Sequence, residues 1–215
     1  MKNLFSLDSP LMSALRTLAD LVFCNILFCM FSLPLFTVGA SLTALYDCTI
    51  SIVEEREASF IIQQFWNAFR RNFKRGVALG LICMAAFGLL WAYYIVVGTL
   101  SGALQRTYQI TFLVLVFLWL AVFQYIFPLQ AKYRMKVGQN LKIAALLSAA
   151  ALPWTLCSLA VTGGAIYLSF FMNPDVLNIA VFLWAFVLFA VVAYLNSFFF
   201  RLAFKRLVLS RDHKD

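Results

Sequence analysis

Residues 108–129 read YQITFLVLVFLWLAVFQYIFPL and contain no charged side chain. A helix needs about 20 mainly apolar residues to cross the hydrocarbon core of a bilayer, because each residue adds about 1.5 Å. This stretch meets that requirement and predicts a membrane-spanning helix. Three further runs meet it as well, namely residues 77–100, 143–171 and 176–200.

The composition of the whole chain agrees with several such helices. Of its 215 residues, 64% are hydrophobic and 12% are charged. Soluble domains are about 45–50% apolar and about 25% charged, so one soluble core could not bury this much apolar surface. The composition excludes an ordinary water-soluble enzyme, a disordered segment and a disulfide-rich secreted module. We therefore predict an all-α, polytopic transmembrane helical bundle that forms a single domain over residues 1–215.

The N-terminal part of the chain has two interpretations. An apolar run at residues 11–35 ends at Pro34, because proline cannot donate the next helical hydrogen bond. A second apolar run covers residues 38–53, and Thr37 is a candidate N-cap for it. Either Pro34 lies in a tight turn between two antiparallel spans, giving six spans in total, or residues 18–46 form one kinked span, giving five.

The distribution of Lys and Arg favours six spans. Cytoplasmic loops carry an excess of cations. With six spans, all 17 cations except Arg106 fall on one side; with five, Lys2 and Arg16 join Arg106 on the other side. Six spans place both termini in the cytoplasm and predict a multi-pass protein of the cytoplasmic membrane. Contact between its cationic rim and anionic lipid accounts for the net charge of +8, so we expect no nucleic-acid partner.

Residues 58–75, ASFIIQQFWNAFRRNFKR, predict an amphipathic helix between the second and third spans. Aromatic and basic residues recur on opposite faces at helical spacing. Such a helix can lie flat among lipid headgroups, or it can dock into a groove of a partner protein. We call residues 59–75 the amphipathic segment. Its residues predicted to face lipid or a partner are Phe65, Trp66, Phe69, Arg70, Arg71, Phe73, Lys74 and Arg75.

Five polar side chains fall within the predicted spans. Polar and ionisable groups at membrane depth are costly, which makes them candidates for function. They could line a proton or solute path, or they could form interhelical hydrogen bonds that fix the bundle. The five residues are Asp20, Asn25, Asp47, Gln124 and Asn196.

Residue sets for catalysis or metal binding are missing from the sequence. The single histidine, His213, lies in the charged tail, and the five cysteines fall inside apolar runs without a CxxC pair. Zinc sites need Cys and His sets, and HExxH, GxSxG and Walker A patterns do not occur. We therefore expect no enzymatic activity, no cofactor and no metal.

A set of short motifs follows a characteristic order along the chain: NIL at 25–27, SLPLFTVGA at 32–40, FWNAF at 65–69, NFK at 72–74, FPL at 127–129, NLK at 140–142, LP at 152–153 and LNS at 195–197. Together they resemble the YesL family of bacterial integral membrane proteins, whose biochemical activity is unknown. The likeness covers roughly residues 4–207. It implies a cytoplasmic-membrane protein of Bacillus-like bacteria, encoded near carbohydrate ABC transporters and polysaccharide-utilisation enzymes.

The resemblance and the cationic cytoplasmic side together suggest a function. We expect a non-enzymatic accessory or assembly partner of a carbohydrate (ABC-type) uptake system, which contacts transporter subunits through the amphipathic segment and the Lys132–Lys142 loop. The alternative is a small solute carrier or channel that uses Asp20 and Asp47. A permease of such an importer would need an EAA…G signature, and residues 54–76 lack most of it.

Overall fold

A computed structural model describes residues 10–54, 60–99, 101–171 and 177–212, and all regular structure in these ranges is helical. A 3-10 turn (Leu35–Thr37) joins the first two helices, and a π-helical turn (Trp184–Leu188, the π turn) joins the last two. The helices are α1 (Pro10–Ser32), α2 (Val38–Val53), α3 (Ile61–Gly98), α4 (Gly102–Tyr133), α5 (Val137–Ala150), α6 (Leu152–Phe170), α7 (Leu177–Leu183) and α8 (Phe189–Asp212).

Six helical stretches of the described chain are long and apolar enough to cross a membrane. The predicted all-α polytopic bundle is therefore confirmed for the part of the chain that the structure describes. The six stretches are Leu11–Ser32, Leu35–Val53, Ile61–Gly98, Leu104–Tyr133, Leu152–Phe170 and Asn178–Phe204.

The turn after Pro34 separates α1 from α2, as the six-span interpretation requires. Thr37 does not cap α2, however, and its backbone angles are φ −90° and ψ −7°. An N-cap residue needs non-helical angles to aim its side chain forward. The Thr37 hydroxyl instead points back to the end of α1, where its one hydrogen is shared between the carbonyl oxygens of Phe31 (2.6 Å) and Pro34 (2.7 Å).

The amphipathic segment and the third predicted span form one helix in the structure. The sequence predicted two helices, at residues 59–75 and 77–100, whereas α3 runs unbroken for 38 residues, about 57 Å. Gly76, at the expected junction, stays helical because it packs against α2, which compensates for the low helix propensity of glycine. Residue 59 lies outside the described residues.

The fifth predicted span, residues 143–171, is divided into α5 and α6. Ala151, between them, has φ −112° and ψ 34°, and Pro153 lies in the first turn of α6. Proline favours the first turn of a helix, where its missing N–H has no partner to lose, and it disrupts a helix interior. The chain therefore starts a new helix at this point, and only α6 is long enough to be a span.

The central helix of the bundle is α2, which packs antiparallel to the first half of α3. Near one end, a Cβ on Gly39 would lie 2.2 Å from the carbonyl oxygen of Gly76 and 2.8 Å from Cα of Gly80. Near the other end, Gln64 Nε2 donates to Ser51 Oγ at 2.7 Å. Small residues at the crossing let the two backbones approach closely, as in membrane helix pairs.

Beyond this crossing, α3 extends well past α2. About 27 Å of helix separates Gly80 from the end of α3 at Gly98. In this part α3 packs on α4 through ring pairs such as Phe87–Trp119, whose centroids are 5.8 Å apart. Leu89, on the same stretch, is 74% exposed. A large exposed apolar surface of this kind marks contact with a membrane or a partner.

Candidate functional site

The first half of α3 has one buried and one exposed face, as its periodicity predicts. Phe65 is fully buried, and the ring centroid of Phe69 lies 4.9 Å from that of Phe31 on α1. These two aromatic residues, predicted to contact lipid or a partner, therefore pack inside the protein. Trp66 and Phe73 stay exposed at the edge of the helix.

The exposed face of α3 borders a surface cleft of about 620 Å³, which we call the basic cleft. Of the described residues that line it, five are cations and none is acidic. A concave surface with one sign of charge concentrates ligands of the opposite sign. The lining residues are Trp66, Phe69, Arg70, Arg71, Asn72, Phe73, Lys74, Arg75 and Arg134.

Arg134 joins the cleft from a second element, the loop that begins after α4. It follows the last residue of α4 and adopts a left-handed conformation, with φ 48° and ψ 45°. This conformation commonly ends a helix, although glycine usually provides it. Arg75 Nη1 donates to the carbonyl oxygen of Arg134 at 2.5 Å, which ties the end of α4 to α3. The sequence predicted the Lys132–Lys142 loop as an interaction region, but not that Arg134 would lie against α3.

Asp47 and Asp20 differ in their surroundings in the structure. Arg71 Nη2 lies 3.0 Å from Asp47 Oδ1, and Gln64 Nε2 reaches the same carboxylate at 3.5 Å. A buried carboxylate is far less costly when it is paired and hydrogen-bonded. Asp47 therefore helps to hold α3 on α2, beside the basic cleft. Asp20 lies half-buried on α1, and the carrier or channel hypothesis stays a prediction.

Asn25 on α1 completes the backbone hydrogen bonding of the π turn. Its Nδ2 donates to the carbonyl oxygens of Trp184 (3.0 Å) and Ala185 (2.7 Å), and its Oδ1 accepts from the N–H of Ala190 (2.9 Å). A π turn changes the hydrogen-bonding register of a helix, and buried backbone groups need partners. Asn25 supplies them and fixes α1 to the last two helices.

Gln124 and Asn196 meet through a residue that the sequence analysis missed, Thr162 on α6. Asn196 Nδ2 donates to Thr162 Oγ1 at 2.9 Å, and Gln124 Nε2 donates to the same oxygen at 3.4 Å. Ser158 also donates to Gln124 Oε1. The network links α4, α6 and α8. The recurrence of hydroxyl residues at Thr155, Ser158 and Thr162 on one face of α6 was the signal that could have revealed it.

The structure thus brings some of the predicted polar residues together and keeps others apart. Gln124 and Asn196 share one network, whereas Asn25 and Asp47 belong to two separate contacts. In the described ranges, no group of three His, Cys, Asp or Glu side chains could hold a metal ion.

The fold and its polar contacts define the class of a multi-pass helical membrane protein with a basic cleft at one end. Residues 21–94 match the model of a family described as "Protein of unknown function, DUF624", which is the family of the YesL-like proteins. The match runs from α1 through α2 into α3, and it includes the Gly39 crossing and the α3 side of the basic cleft. Neither a curated protein nor a solved structure matches the chain significantly.

Proposed function

We propose that this protein is a non-enzymatic accessory or assembly partner of a carbohydrate (ABC-type) uptake system, and that it is a close relative of YesL itself. In this proposal the basic cleft docks an acidic cytoplasmic surface of a transporter subunit. The cleft carries the proposal because it joins five cations with exposed aromatic side chains. Arg and aromatic residues dominate the binding energy of many protein interfaces, and complementary charge speeds association.

The packing of α3 favours a protein partner over a helix lying flat on lipid. A surface helix would bury its aromatic face among acyl chains, but Phe65 and Phe69 already pack inside the bundle. What remains outside is a cationic concave surface with Trp66 and Phe73 at its edge. We also propose that anionic lipid contacts the cationic residues around the cleft. Nucleic acid, cofactor and metal have no part in the proposal.

Charge reversal in the cleft tests the docking proposal. We expect Arg70→Glu together with Lys74→Glu to lower recovery of transporter subunits about tenfold or more, because two attractive contacts become repulsive. Both side chains are exposed, so the amount of folded protein should stay the same. The measurement is a detergent pull-down with quantitative mass spectrometry, on cells grown on pectin-type sugars.

Arg106→Glu is the matched control, since this exposed cation lies near the start of α4, far from the cleft. It should leave recovery unchanged. Equal recovery from the double variant and the unaltered chain would contradict docking at the cleft. The cleft would instead contact the membrane surface if the unaltered chain recovered no transporter subunit and the double variant lost copurified anionic lipid.

We also propose that the protein resides in the cytoplasmic membrane with both termini and the basic cleft in the cytoplasm. The ends of the chain, Met1 and Asp215, lie outside the described residues. The support is the positive-inside rule, together with the clustering of cations at one end of the bundle. There Lys132 pairs with Glu54 at 2.5 Å and Arg201 Nη1 donates to the carbonyl oxygen of Val53 at 3.1 Å.

Cysteine labelling tests this orientation. Phe36, in the turn between α1 and α2, is 54% exposed. We expect Phe36→Cys to react with a charged thiol reagent added outside intact protoplasts, and Lys74→Cys to react only after permeabilisation. The background carries Cys29→Ala and Cys157→Ser, because these native thiols are not fully buried. Labelling of Phe36→Cys only after permeabilisation would support five spans instead.

A further inference from the structure

Two cations of the basic cleft, Arg75 and Arg134, come from different elements and have no acidic partner among the described residues. By contrast, Arg71 in the same cleft is paired with Asp47 at 3.0 Å. Arg75 Nη1 donates to the carbonyl oxygen of Arg134, which holds the Arg75 guanidinium at the end of α4. Like charges in one cleft repel each other unless an anion lies between them. This arrangement therefore indicates an anion site.

The backbone of Arg134 is a second and independent sign of a ligand. Among the described residues, Arg134 is the only non-glycine residue with a positive φ, at 48°. This conformation favours glycine, because a Cβ crowds the following carbonyl oxygen. Strained backbone of this kind clusters at ligand sites. The chain thus keeps an arginine side chain in the cleft at a position where glycine would relieve the strain.

An exposed apolar stripe on α3 begins next to this pair of cations. Ile82 and Leu89 follow Arg75 at intervals of seven residues, so the three side chains share one side of the helix. Both apolar side chains are exposed, and Leu89 lies about 21 Å from Arg75 along the helix axis. One leaflet is half of a hydrocarbon core of about 30 Å. The stripe is therefore long enough to carry an acyl chain through a leaflet.

Exposed aromatic residues mark the opposite end of the same helices. They are Trp91 and Tyr94 on α3 and Tyr108 on α4. Trp and Tyr are enriched where the hydrocarbon core meets the headgroups. Arg75 lies about 28 Å from Tyr94 along α3, close to the thickness of the hydrocarbon core. No charged residue of α3 lies between them. Arg75 is therefore at the level of the headgroups on the other side of the membrane.

We propose that Arg75 and Arg134 bind the phosphate group of one anionic phospholipid of the cytoplasmic leaflet. The two guanidinium groups donate to the non-bridging phosphate oxygens, an arrangement that suits their planar shape. One acyl chain lies along Ile82 and Leu89. The inference rests on the proposed orientation of the chain, and it narrows the proposed contact with anionic lipid to one site. A free phosphate ion would use the two cations but not the apolar stripe.

Native mass spectrometry of the full chain in an uncharged detergent tests the proposal. The probes are phosphatidylglycerol, which is anionic, and phosphatidylcholine, whose choline cation offsets the phosphate charge. We expect one bound phosphatidylglycerol, with a dissociation constant about tenfold lower than that of phosphatidylcholine. An excess of inorganic phosphate should leave this lipid bound, because the free ion has no acyl chain. Displacement of the lipid by inorganic phosphate would show a site for the free ion and overturn the lipid assignment.

Arg134→Gly removes one guanidinium and also relieves the backbone strain, so the variant should fold at least as well as the unaltered chain. We expect its affinity for phosphatidylglycerol to fall about tenfold or more, since a charged hydrogen-bond donor is lost. Arg75→Gln, which leaves the backbone at Arg134 unaltered, should have the same effect. Lys136→Gly is the matched control. It removes an exposed cation from the same loop, but Lys136 is not among the residues that line the cleft. Its affinity should not change.

Equal affinity of the unaltered chain for the two lipids overturns the proposal. Equal losses in Arg134→Gly and Lys136→Gly also overturn it, because the lipid then responds only to the net charge of the surface. The purified chain carries no transporter subunit, so these measurements do not depend on docking. A failed pull-down therefore leaves the lipid site intact, and a missing lipid site leaves the docking proposal intact.

Discussion

We expect Gly39→Ala to lower the midpoint of thermal unfolding in detergent by about 2–12 °C, and Gly39→Leu to yield no monodisperse protein. A Cβ at this position would lie 2.2 Å from the carbonyl oxygen of Gly76 and 2.9 Å from the amide nitrogen of Gly80. Both are backbone atoms, so no side chain can rotate away. Overpacking of this kind costs about 1–3 kcal/mol or more, and each kcal/mol shifts the midpoint by about 2–4 °C at this chain length.

The effect is large because α2 is the most enclosed of the six spans, with 67% of its most apolar window buried inside the bundle. Moving α2 away from α3 also disturbs its contacts with α1 and α8. Gly88→Ala is the control, since Gly88 lies on α3, the helix that α2 packs against, and a Cβ there meets nothing within 4 Å. Alanine favours helix formation over glycine, so this variant should keep or slightly raise the midpoint. Equal small shifts for both variants would show that α2 can move freely.

The sequence predicted the spans well because a bilayer imposes a length and an apolar composition on every helix that crosses it. It could also indicate that Gly76 and Gly80, four residues apart, form a site of close helix approach. It also indicated that Gly39 permits a close chain approach, but it could not show that Gly39 packs against Gly76 and Gly80. A local pattern shows which face of a helix is small or apolar, whereas the partner of that face depends on the arrangement of all the helices.

The amphipathic segment illustrates the same limit. Its periodicity correctly placed Phe65 and Arg70 on different faces of a helix. The buried face, however, contacts Phe31 of α1, and no local pattern pairs residues so far apart along the chain. The break at Ala151 was more accessible to sequence reasoning, since Pro153 marks it. The π turn has no comparable local signal, because its register depends on what α1 presents to it.

Asn25→Leu is expected to destabilise the protein by about 3 kcal/mol or more, although leucine is the more favourable residue in a membrane. The substitution leaves the carbonyl oxygens of Trp184 and Ala185 and the N–H of Ala190 without the amide that binds them. Each buried backbone group that loses its partner costs about 1–3 kcal/mol. Asn25 is fully buried, so water cannot replace the amide.

Two measurements separate this effect from a general loss of stability. Thermal unfolding in detergent gives the size of the change. Hydrogen exchange should show faster exchange at Ala190 and its neighbours in the π turn, with α3 unchanged. Asn67→Leu is the control, because Asn67 is an exposed amide on α3 and surface substitutions usually stay within about 0.5 kcal/mol. Unchanged exchange around Ala190 in Asn25→Leu would show that the π turn holds its register without α1, and Asn25 would then lose the structural role assigned to it.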